Sequence, residues 1–243
     1  MIRDLIHTAT TAGAVLGLTT TLGPLASVVA LPDPRNADPV IRFYATSLLR
    51  AAGVRHRARG LENIPGGTCV LVCNHQSHFD VLVLFAHLPG HARFVAKSEL
   101  FKIPIFGPAI KATGNIRVDR TGGEKDRETL LEAVSAVRER VSVVFFPEGT
   151  RSETGELLPF KKGAAMLAIQ AGVPVVPIAV AGTREILPKG SKWIHGGKRA
   201  VLRVGEPIPT RDLKPEDRDQ LTARIRDAVQ GLLDEANLEL AQQ

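Results

Sequence analysis

Two cysteines, one tryptophan and one tyrosine are all that 243 residues contain of those types. Cys69 and Cys73 stand four apart on what reads as a strand, on one face but too far apart for an easy disulfide. Neither a disulfide framework nor a zinc site is supported, and two small core residues in a reducing compartment are the expectation. Aromatic residues amount to 5%, which leaves no rows of stacking platforms for single-stranded nucleic acid. The chain has no Gly-x-Ser-x-Gly and no His-Glu-x-x-His, which removes the signatures of serine hydrolases and zincins. Gly196-Gly197-Lys198 lacks the upstream spacing and the following Ser or Thr of a phosphate loop. A metal hydrolase built on His75, His78 and Asp80 would lack a distant ligand cluster, so no metal is expected. Fixed-period repeats and low-complexity tracts are also missing.

What is present is a globular composition, 44% hydrophobic and 23% charged, in a chain long enough to bury a substantial core. The formal charge of +6 and the pI of about 9.6 admit two partner classes: nucleic acid, or an anionic membrane surface and phosphorylated substrates. The basic residues are scattered, as in Arg55-Arg57-Arg59 and Lys161-Lys162, without a long run or a nucleic-acid-binding signature. The membrane and phosphate reading is therefore preferred, and nucleic acid is not an expected partner.

Residues 5–31 carry no formal charge, and a spanning helix needs about 20 predominantly apolar residues. Six threonines dilute this stretch, and Gly13, Gly17, Gly23 and Pro24 interrupt it. A spanning helix, a helix pair lying on or dipping into one leaflet, and a signal peptide all compete. Asp4 beside Arg3 and the want of a clean small-x-small site speak against cleavage. An uncleaved embedded hairpin or anchor, broken near Pro24, is the expectation. Between Pro39 and Val54, Ile41, Tyr44, Ala45, Leu48, Leu49 and Ala52 recur at helical spacing opposite Arg42 and Arg50. That face suits an anionic lipid surface or the protein core equally. The arginines between Arg35 and Arg59 put this side of the anchor in the cytoplasm, so the protein is expected on the cytoplasmic face of the inner or plasma membrane. Residues 1–56 thus form an N-terminal membrane-associating segment, ahead of a domain at 57–243.

From about residue 60 strands and helices alternate. Strands are predicted at 68–73, 93–96, 143–146, 173–180 and 201–204, and helices at 79–88, 126–140 and 163–170. Leu130, Leu131, Val134 and Val137 share one face of the second helix. Leu221, Ile225, Val229 and Leu232 stripe a last helix. The two prolines of Val173-Pro174-Val175-Val176-Pro177 argue for an edge or irregular strand. The alternation implies an α/β fold with a mixed, largely parallel central sheet flanked by helices.

Three segments could carry chemistry. The first is Asn74-His75-Gln76-Ser77-His78-Phe79-Asp80. Positions five apart on a regular helix point about 140° from each other, so His75 and Asp80 cannot meet within one helix. They can meet if His75 lies in the loop leaving a strand and Asp80 in the first turn of the next helix. Asp80 would then hold one imidazole nitrogen and free the other as a base. Against this, Ser77-x-x-Asp80 also matches a helix-capping pattern that would occupy Asp80 with backbone amides. The second segment is Gly114-Asn115-Ile116-Arg117-Val118-Asp119-Arg120, whose Arg117 and Arg120 could grip a phosphate or simply be solvated. In the third, a strand ends at Pro147 and its loop presents Glu148, Gly149, Thr150, Arg151 and Ser152, where open α/β sheets bind ligands. A polar turn with a Glu148–Arg151 surface pair is the plainer alternative.

Taken in order with Lys97-Ser98-Glu99-Leu100, Leu158-Pro159-Phe160-Lys161-Lys162-Gly163 and the Pro177 segment, these motifs resemble the glycerol-phosphate and lysophosphatidate acyltransferase family from about residue 60 to 205. The resemblance implies a general base at His75 oriented by Asp80, with no acyl-enzyme intermediate. It implies an acceptor site at Arg117, Arg120, Glu148, Gly149, Thr150 and Arg151. The implied substrates are lysophosphatidate as acceptor and acyl-CoA or acyl-carrier-protein as donor, giving phosphatidate for phospholipid synthesis without a cofactor. Glycerol-3-phosphate or another lysophospholipid as acceptor, and a non-catalytic membrane-binding protein on the same scaffold, are the alternatives.

Overall fold

A run of four apolar side chains, Val70–Cys73, forms strand β2 and is buried at every position, as a strand covered on both faces must be. The structure, a computed structural model, describes residues 2–89, 91–118, 131–137 and 141–242. Around β2 the sheet is completed by β1 (Arg55–Arg59), β3 (Ala92–Lys97), β4 (Ile116–Val118), β5 (Ser142–Phe145), β6 (Val175–Ala181) and β7 (Arg199–Val204). The spatial order is β1-β7-β6-β2-β5-β3-β4. All neighbours run parallel except β6 and β7. The mixed, largely parallel sheet expected from the alternation of elements is the one found.

Alternate side chains of the central strands feed two cores. Val70 and Val72 enter one of them, with α5 (131–137), α6 (Gly163–Ala171) and α7 (Arg218–Ala241). Leu71 and Cys73 enter the other, with α2 (Asp38–Ala51) and α3 (Phe79–His87). Gly172, in the left-handed conformation, ends α6 as its lack of a β-carbon allows. On α7, Leu221, Ile225, Val229 and Leu233 are buried one turn apart. Each such burial contributes about 1.5–3 kcal/mol, so a charge at Val229 would unseat the helix. The stripe runs through Leu233, with Leu232 at its margin. Leu131 likewise leaves the expected face of α5, where Ala133, Val134 and Val137 do the packing. Leu130 and the rest of the 126–140 prediction outside 131–137 fall outside the described residues.

The N-terminal helix α1 (Ile2–Val29) differs from the expected hairpin, because it continues through Pro24. The residue before proline is Gly23, which has no β-carbon to clash with the proline ring. Gly23 also lets the helix approach Ile105 and α4 (Phe106–Ala112) closely. The apolar face of α2 is packed rather than lipid-facing: Ala45, Leu48 and Leu49 are buried, and the helix lies against α1 and α3. Leu49 and Val54 join the same core as β2, and the division placed between residues 56 and 57 falls inside β1.

The proline-bearing strand β6 is interior, between β7 and β2, and not an edge. Pro174 precedes the ladder. Pro177 accepts from the amide of Gly205 at its carbonyl (2.9 Å), where β7 has already ended. In a strand the amide and carbonyl of one residue point the same way. The missing Pro177 donor therefore falls at the frayed end of the β6–β7 pairing and costs the sheet little.

Candidate active site

Three adjacent strands, β5, β2 and β6, are parallel, so their carboxyl ends open on one edge of the sheet. Ligands bind at such an edge in open α/β folds. Asn74 and His75 leave β2 there, Phe146 and Glu148 leave β5, and Thr183 leaves β6.

His75 lies in the loop between β2 and α3, and Asp80 is the second residue of α3, the junction that the helix geometry required. His75 Nδ1 is 2.8 Å from Asp80 Oδ2. Asp80 Oδ2 also accepts from the amides of Gln76 (2.7 Å) and Ser77 (2.9 Å). Both amides belong to the loop ahead of α3, whose N-cap position is His78 without a side-chain cap. The same oxygen thus holds two loop amides and the imidazole, so occupation by amides and contact with His75 coexist without a formal helix cap. Its other oxygen, Oδ1, accepts a hydrogen bond from Thr183 Oγ1. Asp80 is fully buried. An imidazole that donates through Nδ1 presents Nε2 with a lone pair, the atom able to accept a proton. The His75 side chain is 14% exposed, so it can be reached from outside. Its ring stacks on Phe146 with centroids 4.0 Å apart and an interplanar angle of 18°, which fixes the ring plane that the Asp80 contact alone would leave free.

Glu148 does not form a surface pair with Arg151. It is buried, its Oε1 accepting from the His75 amide (2.6 Å) and its Oε2 from the Leu158 amide (3.0 Å). Burial raises its pKa from the ordinary value, and the two amides oppose that only in part. The Ser152 amide returns a bond to the His75 carbonyl (2.8 Å), and Gln76 Nε2 donates to Gly155 O (3.0 Å). The loop after β5 is therefore stitched to the loop after β2 around the histidine. Asn74 does the same toward β6, donating to Val180 O (2.9 Å) and accepting from Val180 N (2.8 Å).

Gly149 has φ +73°, and a β-carbon there would press on the Lys161 side chain; only glycine fits this turn readily. Thr150 is exposed and Arg151 half-buried. The Arg151 charge reaches His78, whose pKa is lowered first by desolvation and then by Arg151 and His75. Cys73, beside the dyad, is buried, and its thiol is held well above its ordinary value by burial first and by Asp80 and Glu148 next. It is a packing residue, as expected of both cysteines, which are free and buried. Arg117 is exposed on β4 at the sheet margin. Three strand spacings, about 14 Å, separate β4 from β2, so Arg117 shares the edge with His75 without adjoining it. Arg120 lies outside the described residues.

Sequence reasoning missed Thr183, Asn74 and the stacking role of Phe146. Thr183 had one available signal, a hydroxyl two residues beyond the end of a buried strand.

A family model described as acyltransferase matches residues 55–181. Over 212 residues the chain is 35% identical to the 1-acyl-sn-glycerol-3-phosphate acyltransferase alpha of Ovis aries, spanning 86% of this chain and 74% of that one. It is 42% identical over 148 residues to a chloroplastic 1-acyl-sn-glycerol-3-phosphate acyltransferase of Brassica napus, spanning 59% of this chain and 43% of that one. Among solved structures, the 1-acyl-sn-glycerophosphate acyltransferase PlsC of Thermotoga maritima superposes with a TM-score of 0.82 at 26% identity. That superposition covers 96% of this chain and 97% of the other.

Proposed function

The chain belongs to the acyltransferase family, and from that premise we propose that it acylates the free hydroxyl of 1-acylglycerol-3-phosphate, using acyl-CoA or acyl-carrier-protein as donor. The observation that carries the reading is the 2.8 Å contact of His75 Nδ1 with Asp80 Oδ2 at the carboxyl edge of the sheet. His75 Nε2 takes the acceptor's hydroxyl proton as that oxygen attacks the thioester carbonyl. Asp80 stabilises the imidazolium that forms. Collapse of the tetrahedral adduct breaks the C–S bond, and the imidazolium returns the proton to the departing thiolate. One ester replaces one thioester, with no acyl-enzyme and no cofactor. Arg151, on the loop that brackets His75, and Arg117 further along the edge supply cations for the acceptor phosphate, with Arg120 of the same motif as a third. Gly149 and Thr150 shape that loop, and Glu148 acts by positioning His75.

A membrane is the natural source of this acceptor. Helix α1 is the one described helix long and apolar enough to cross a bilayer. It exposes Leu5, Ile6, Val15, Leu16, Leu25 and Val28. Both of its ends are held to the domain, however. Thr8 Oγ1 accepts from Ile194 N (2.9 Å) before β7, and Gly23 meets Ile105 beyond β3. Those positions are 15 residues apart, about 22 Å of helix. The four strand spacings from β7 to β3 come to about 19 Å. The helix therefore lies along the active-site edge, which supports immersion in one leaflet over a perpendicular span, with the arginine-bearing domain on the cytoplasmic side.

The test is release of free CoA from acyl-CoA by the purified full chain with lysophosphatidate, followed by mass spectrometry of the lipid product. Phosphatidate is expected, and His75→Ala is expected to abolish it. Near-wild-type turnover by His75→Ala would sink the mechanism. Arg151→Ala or Arg117→Ala leaving both KM for the acceptor and kcat unchanged would sink the phosphate assignment.

A further inference from the structure

The connection from β6 to β7 carries a feature that acyl transfer does not use. It holds Trp193, the one tryptophan of the sequence, with 52% of its surface exposed. The segment around it is a built turn. The Ser191 amide donates to Pro188 O (3.1 Å), the Trp193 amide to Ser191 Oγ (3.0 Å), and Ser191 Oγ to Trp193 O (3.2 Å). The His195 amide donates to Ile186 O (2.9 Å), and Ile186 is fully buried, so the turn is fastened to the core. A large ring is thus displayed by an ordered scaffold.

Its surroundings indicate what it is displayed to. Ile194, the next residue, is bonded to Thr8 of α1, and His195 Nδ1 is 3.4 Å from Asp4. The first turns of α1 expose Ile2 (74%), Leu5 and Ile6. The residues that follow Trp193 are thus fastened to the turns of α1 that expose these apolar side chains. Lys192 and Lys198 are exposed on either side, and Arg3 reaches the backbone at Gly197. An amphipathic ring bracketed by cations suits the level of the headgroups, where tryptophan is favoured and lysines meet anionic phosphates.

We propose that residues 188–198 form a second membrane-contacting element, with Trp193 seated among the headgroups of an anionic bilayer and Lys192 and Lys198 against its phosphates. Together with α1 this turn fixes the roll of the domain about the helix axis, and so the direction in which the active-site edge faces. The inference rests on the membrane reading of α1.

Because Trp193 is the sole tryptophan, its emission reports on this turn alone. The full chain is incorporated into vesicles of phosphatidylglycerol and phosphatidylcholine, with ordinary or brominated acyl chains, and collected by sedimentation. Quenching in the brominated vesicles, with protection from aqueous iodide, is the expected result. Sedimented protein whose emission ignores bromine and is fully quenched by iodide overturns the turn while leaving α1 as the anchor. Protein that does not sediment with vesicles overturns both. A double variant, Lys192→Gln with Lys198→Gln, should lower affinity for anionic vesicles about 30-fold, the worth of two cations at such a surface, and leave neutral vesicles unaffected. Equal affinity of the variant and the wild type for anionic vesicles would remove the electrostatic half of the proposal.

Discussion

Replacing Asp80 by asparagine, and separately by alanine, divides the two duties that meet on one carboxylate. Asp80 accepts from His75 Nδ1, the Gln76 and Ser77 amides and Thr183 Oγ1, and it is fully buried. Alanine strands all four donors. The histidine can turn toward solvent and the hydroxyl can rotate, so the two amides dominate the loss. At about 1–3 kcal/mol per buried unsatisfied donor, the cost is about 2–6 kcal/mol, a large part of a typical domain's 5–15 kcal/mol. Asparagine can keep the network. Its carbonyl oxygen replaces Oδ2 for the amides and the imidazole, and its amide group donates to Thr183, whose hydroxyl accepts as readily as it donates. The fold should then survive while the charge that stabilises the imidazolium is gone, lowering kcat by about 10²–10⁴. Thermal unfolding and CoA release measure the two effects on the same preparations. If Asp80→Asn unfolds as readily as Asp80→Ala, the hydrogen-bond accounting is wrong. If it keeps near-wild-type kcat, the charge of Asp80 plays no part in catalysis.

Glu148 should leave a mark on stability against pH. Its folded pKa is raised from 4.5 by burial, so the folded state holds this proton more tightly than the unfolded one. The contribution is full below the unfolded pKa and is lost as pH rises through the folded value. Denaturant melts between about pH 4 and 8 should show that decline, and a Glu148→Gln variant should lack it; parallel curves would contradict the assignment. Deleting residues 1–31 should leave a folded domain, since neither large core includes a residue of α1. The truncated protein should keep its circular dichroism and sediment more weakly with liposomes, and unchanged sedimentation would count against α1 as anchor.

Local pattern alone determined a good deal of this protein. Unbroken apolar runs can only be covered strands, so 70–73 and 143–145 were legible, and the stripe of α7 was legible from its spacing to within one residue. His75 and Asp80 were legible as a pair because a strand, a short loop and a helix start lie within a few residues of them, and that junction sets their geometry. Even so, Arg55, Arg57 and Arg59 were read as scattered charge although their alternation is the two-residue period of an edge strand. What only the tertiary structure decided involves partners distant in the chain. Glu148 meets the His75 amide 73 residues away because β5 lies beside β2. Thr183 reaches Asp80 across 103 residues because β6 lies on the other side. The same pairing made the strand that carries Pro177 interior, and packing against α4 accompanied the passage of α1 through Pro24. Period and propensity act over one or two turns, and a buried carboxylate's partners are chosen by which strands become neighbours.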